Sequence, residues 1–280
     1  MLIHNNFRSW CLQTNTDINI IVPDVKEGES WANHFQKKYP VLWLLHGTWG
    51  GYTDFVRRTN IDLYAKERNL IVVVPNGLNM EYSNWNQFNL GYRMFDHLFD
   101  ELMPMIYNTL PASSDKADNY IAGLSMGSMG AFKYAINRPD RFAGCGCMSG
   151  TPSDIKTNYE NHELNQRILF DIQMAGGIEN YLDSYENTWA LTQQKANDPD
   201  LPDFYFCIGK EDFLYPDYLA YETYANQVGF KATFEAVDGY AHEWRFWDLE
   251  LQKLLDHWGL KGVRNITTAK DFKPIDPSTL

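Results

Sequence analysis

Tyr120-Ile121-Ala122-Gly123-Leu124-Ser125-Met126-Gly127-Ser128-Met129-Gly130-Ala131 decides the fold of this chain. Tyr120 to Leu124 is an apolar, strand-like run, and the residues after Ser125 suit a helix. Between them stands Gly-x-Ser-x-Gly, the pattern of a nucleophile elbow. A serine on a sharp strand-to-helix turn has strained backbone geometry, and bulky neighbours would clash. Gly123 and Gly127 remove side chains on either side of Ser125, so its hydroxyl can point outward. The same turn aims the Met126 N–H and the start of a helix dipole at whatever Ser125 attacks. A pentapeptide alone also fits an ordinary turn of small residues, so its context must agree.

Working outward, further apolar runs end in turns. Tyr39 to Leu45 is continuously apolar, which fits a strand buried on both faces of a parallel sheet. It ends in His46-Gly47-Thr48-Trp49-Gly50-Gly51. Leu70 to Val74, Phe142 to Ser149, Asp203 to Ile208 and Lys231 to Val237 read as further strands. Helices are expected over 54–68, 92–110, 215–228 and 245–260. Residues 10–22 read as opening antiparallel strands and 23–38 as a hairpin loop. Residues 78–91, with Tyr82, Trp85 and Phe88, read as a loop at the carboxyl edge of the sheet. Strands alternating with helices predict an open, mostly parallel α/β sheet covered on both faces. Residues 1–260 form one domain on this pattern. Residues 150–202 are an excursion or cap, and 261–280 a polar tail.

Asp212 and His242 each follow a predicted strand, as Ser125 does. Parallel strands end on one edge of the sheet, so the three side chains can converge. The order Ser, Asp, His is the one expected for a triad on this kind of sheet. Here Ser125 is the candidate nucleophile, His242 its base and Asp212 the group that orients the imidazole. His46 is a rival base, and Asp238 a rival acid close to His242. Glu211 and Glu243 are expected beside the site.

The composition bounds the alternatives. A formal charge of -12, without a Lys/Arg cluster, argues against a nucleic-acid partner. No apolar run is long enough for a membrane span. The N-terminus lacks a charged-then-apolar signal pattern, and four cysteines sit in apolar contexts, so the expected compartment is the cytoplasm.

The motifs His46 to Gly51, Gly123 to Gly127, Gly209-Lys210-Glu211-Asp212-Phe213-Leu214 and His242-Glu243-Trp244 together resemble the esterase D group of α/β-hydrolases. That group holds tributyrin-type, feruloyl and acetylxylan esterases and S-formylglutathione hydrolases. The resemblance runs in order over about residues 10–260. It implies an α/β-hydrolase fold and a carboxylic-ester hydrolase with a small-molecule ester substrate, no metal and no organic cofactor. It also implies a structural rather than catalytic His46. Where the group often has glycine after the elbow, this chain has Ser128, which is small enough to pack. The second oxyanion donor is expected from the Gly47–Gly51 turn, with the Thr48 N–H ahead of that of Trp49. Such a donor is typically worth roughly 3–4 kcal/mol in the transition state. Trp49, Tyr82, Trp85 and Trp244 form either an aromatic pocket wall or ordinary core. The expected reaction is hydrolysis of short acyl or aryl esters, including hydroxycinnamoyl esters. Acyl transfer, thioester hydrolysis and ligand binding without catalysis are the competing functions, and homo-oligomerisation is open.

Overall fold

The computed structural model describes residues 1–25, 29–85 and 91–263. Eight strands form one sheet in the order β1-β2-β4-β3-β5-β6-β7-β8. They are β1 (Leu2–Ser9), β2 (Thr14–Ile21), β3 (Val41–Leu45), β4 (Ile71–Pro75), β5 (Asn119–Leu124), β6 (Gly144–Met148), β7 (Asp203–Gly209) and β8 (Thr233–Val237). β1 and β2 pair antiparallel, as do β2 and β4, and the remaining pairs are parallel. This is the expected α/β-hydrolase sheet.

The helices are α1 (Trp31–Gln36), α2 (Asp54–Arg58), α3 (Ile61–Arg68), α4 (Met94–Asp96), α5 (Met103–Thr109), α6 (Met126–Asn137), α7 (Ile155–Glu160), α8 (Gln166–Ala175), α9 (Ile178–Leu182), α10 (Thr188–Gln194), α11 (Tyr215–Gln227) and α12 (Trp244–His257). A π-helical segment, His97–Leu102, joins α4 to α5. None of the helices among the described residues is long and apolar enough to cross a membrane.

Strand alternation sorts the core. Trp43, Leu45, Ile71 and Val73 pack with residues of α5, α6 and α11 on one face. Leu42, Leu44, Val72 and Val74 pack with α2, α3 and α12 on the other. β6 carries this alternation in Gly144-Cys145-Gly146-Cys147. Its thiols face the first cluster, while its glycines make room for Trp258 and Leu254 on the opposite face. Residues between β6 and β7 carry α7 to α10, and Ile155, Ile168, Ile172 and Tyr181 give them a small core of their own.

Four expectations are corrected. β1 precedes the opening strands that were expected; its polar, half-exposed sequence hides an edge strand completed by the β2 ladder. The segment expected as a hairpin loop over 23–38 contains α1 among its described residues, with its N-terminus capped by the Ser30 hydroxyl. The helix expected over 54–68 breaks at Thr59, which is extended, while Asp248 takes the Asn60 N–H at 2.8 Å. The helix expected over 92–110 begins at Met94 and passes through the π segment, which still keeps Leu98, Leu102 and Ile106 buried. Residues 26–28, Phe88 and most of the 261–280 tail lie outside the described residues.

Candidate active site

The elbow follows from close packing. Ser125 has φ 53° and ψ -120°, a conformation that typically costs about 1–3 kcal/mol for a residue with a side chain. It survives because both flanks are bare. A Cβ on Gly123 would lie 2.2 Å from the Gly127 carbonyl oxygen, and a Cβ on Gly127 would lie 2.2 Å from that of Leu45. The Ser125 N–H bonds to the Met148 carbonyl at 2.8 Å, tying the turn to β6. Ser128 is fully buried, and its hydroxyl donates to the Gly150 carbonyl at 2.6 Å, so the serine in place of glycine is both packed and satisfied.

Asp212 follows β7 and is buried. Its Oδ2 accepts the His242 Nδ1–H at 2.8 Å, and its Oδ1 accepts the Leu214 N–H at 2.9 Å. Burial raises the pKa of this carboxyl. The hydrogen bonds from His242, Leu214 and Ser149 outweigh it and hold the group below its ordinary value. With Nδ1–H given to a carboxylate, the imidazole carries its lone pair on Nε2. His242 and Ser125 line one cleft of about 260 Å³, together with Thr48, Trp49, Trp244 and Trp247.

The rivals are placed elsewhere. Asp238 is exposed and pairs with Lys210 at 3.0 Å. His46 is fully buried and both ring nitrogens are engaged. Its Nε2 accepts the Gly77 N–H at 2.8 Å, which leaves Nδ1–H to donate to the Gly47 carbonyl at 2.8 Å. Burial lowers its pKa, so the ring is a neutral staple between two loops. Glu243 accepts the Ala241 N–H, and Glu211 is exposed.

The Trp49 N–H donates to Asn79 Oδ1 at 2.8 Å. The N–H groups of Thr48 and Met126 have no hydrogen-bond partner among the described residues. Gly47 approaches so closely that a Cβ there would stand 3.3 Å from the Ser125 Cβ.

The four aromatic residues divide. Trp49, 91% exposed, and Trp244 line the cleft, and Arg58 lies over the Trp244 ring at 5.4 Å. Tyr82 does not line it. Its buried ring fills a slot left by Gly77 and Gly130, and its hydroxyl donates to the His46 carbonyl at 3.0 Å. Trp85 packs against the core and donates from Nε1 to the Met80 carbonyl. Residues not expected from sequence are Trp247, Phe213 and Ser149. Trp247 and Phe213 contact the His242 ring at 5.0 and 4.8 Å, and Ser149 accepts the Trp247 Nε1–H at 3.0 Å.

A second cavity, of about 100 Å³, lies between the elbow helix and the residues that link β6 to β7, and neither Ser125 nor His242 lines it. Met129 and Gly150 line it beside the Ser125 backbone, and Lys133, Arg167, Asp171 and Glu186 make it polar. No cluster of His, Cys, Asp and Glu among the described residues could hold a metal ion.

Known proteins agree with this architecture. The Esterase family model matches residues 11–257. An acetyl esterase of Caldicellulosiruptor saccharolyticus is 24% identical over 253 residues, covering 87% of this chain and 92% of that protein. Solved structures share the fold, two of them as follows. The S-formylglutathione hydrolase of Staphylococcus aureus has a TM-score of 0.75 at 24% identity, covering 92% of this chain and 98% of its own. A ferulic acid esterase of Anaeromyces mucronatus has a TM-score of 0.63 at 17% identity, covering 93% and 91%. With the family model spanning the sheet from β2 to the last helix, the chain belongs to the esterase family and is a carboxylic ester hydrolase.

Proposed function

We propose that the protein is a serine esterase for short acyl and aryl esters, with Ser125 as nucleophile, His242 as base and Asp212 as its orienting acid. The observation that carries this is the 2.8 Å Asp212–His242 hydrogen bond at the edge of the cleft that also holds the strained Ser125. Ser125 Oγ attacks the ester carbonyl carbon and its proton passes to His242 Nε2. The N–H groups of Thr48 and Met126 receive the oxyanion. Collapse breaks the bond to the alcohol oxygen, which takes the proton from His242 and leaves an acyl-serine. Water repeats the sequence, with His242 again as base, and releases the acid.

The likeness to an acetyl esterase supports a short acyl group. The tryptophan-lined cleft suits an aryl ring, which keeps hydroxycinnamoyl esters among the candidates. All four cysteines are free, buried thiols, which supports a cytoplasmic location.

Hydrolysis of p-nitrophenyl esters from acetate to octanoate, with methyl ferulate alongside, tests the assignment. The expected profile peaks at acetate to butyrate and falls about tenfold or more by octanoate. A maximum at octanoate would contradict the short-acyl assignment. Transfer of the acyl group to an added alcohol in preference to water would make the enzyme a transferase.

A further inference from the structure

The loop that follows β3 is anchored from several sides. His46 is stapled to Gly77, the Gly50 N–H closes a turn onto the Gly47 carbonyl at 3.1 Å, and the Trp49 N–H is held by Asn79. Thr48 is held from a different quarter. Arg167, on α8 and 119 residues downstream, donates from Nη2 to Thr48 Oγ1 at 2.7 Å. The same guanidinium pairs with Glu81 at 3.1 Å. Glu81 in turn gives its backbone carbonyl to Lys133 at 3.0 Å. Lys133 lies on α6, the helix that begins beside Ser125, and it also pairs with Glu186 between α9 and α10. One polar network therefore joins the β3 loop, the β4 loop, the elbow helix and the segment between β6 and β7.

The Gly47–Thr48 peptide plane is held at its carbonyl end, where the Gly47 oxygen accepts from His46 Nδ1–H and from the Gly50 N–H. Its Thr48 N–H end has no partner among the described residues, so the tilt about that carbonyl is left to contacts of Thr48 itself. The Thr48 hydroxyl is the polar group of its side chain, and a planar guanidinium that Glu81 also holds is a rigid donor for it. We propose that Arg167 is a positioning residue for ester hydrolysis. Through the Thr48 hydroxyl it holds the Thr48 N–H where the oxyanion forms, and so couples the loop to the seating of α8. This rests on Thr48 being an oxyanion donor, as assigned above.

The test is a double-mutant cycle with near-isosteric changes, Arg167→Met and Thr48→Val, read as kcat and KM on p-nitrophenyl acetate together with Tm. Each single change should lower kcat about tenfold or more, with KM altered less than about threefold. The double variant should be no worse than the poorer single, because both remove the same contact. Thr48→Ser, which keeps the hydroxyl, should retain activity, and Arg167→Lys should recover part of it. Multiplying losses, or an inactive Arg167→Met beside a fully active Thr48→Val, would overturn the proposal and leave Arg167 a structural tie. Ser125→Ala separates this from failure of the underlying assignment. If that variant keeps esterase activity, the serine mechanism itself is wrong; if it is inactive and the cycle is additive, only the role of Arg167 falls.

Discussion

The indole of Trp247 meets the imidazole of His242 edge-on, with ring centroids 5.0 Å apart and planes at 88°. Its Nε1–H donates to Ser149 Oγ, and the Ser149 hydroxyl faces Asp212. One residue of α12 thus restrains the imidazole directly and its carboxylate partner through a relay. Ser149→Ala and Trp247→Phe should each lower kcat about fivefold, the equivalent of one hydrogen bond worth ~1 kcal/mol. The substrate's KM should change little. Steady-state kinetics on a p-nitrophenyl ester checks this, and unchanged kcat in both variants would remove the relay from the mechanism.

Asp212 and Asp238 are both near His242 in sequence or space, but only Asp212 is buried against it. Asp212→Asn should cost about 10⁴ in kcat, because the amide favours the wrong imidazole tautomer. Asp238→Asn should stay within about twofold of wild type, since it loses only a surface ion pair with Lys210. The reverse ranking would transfer the orienting role to Asp238.

Asp171 gives a pH-dependent stability signature. Burial in the polar cavity, reinforced by Glu81 and Glu186 and opposed by Lys133 and Arg167, pushes its carboxyl up to about 7. Between about pH 4 and that value the unfolded chain ionises this carboxyl while the folded chain keeps the proton. The folded state therefore binds more protons, and stability falls as pH rises through that window. Asp171→Asn removes the penalty, so it should raise Tm by a few degrees at pH 8 and change it little at pH 4.5. Thermal unfolding at the two pH values decides; an equal shift at both would mean that the carboxyl ionises normally.

Much of this was legible because it is encoded locally. The elbow is five consecutive residues whose glycines answer to single contacts, Gly123 to Gly127 and Gly127 to Leu45. Asp212 and His242 were readable as strand-end residues because continuous apolar runs mark β7 and the turn after β8 marks its end. Residues that depend on packing between distant segments were not readable. Tyr82 looks like a pocket aromatic until Gly77 and Gly130, far apart in sequence, open a slot for its ring. Arg167 is one charged residue in a polar stretch, and no period or motif ties it to Thr48. β1 was hidden because an edge strand with polar residues on both sides owes its existence to its partner's ladder.

The most direct measurement of the central claim is covalent labelling with a fluorophosphonate, mapped by peptide mass spectrometry, in wild type and Ser125→Ala alongside esterase rates. The account predicts one adduct, on the peptide that contains Ser125, with labelling and hydrolysis both lost in Ser125→Ala. An adduct on another residue, or a Ser125→Ala variant that still hydrolyses esters at the wild-type rate, would contradict it.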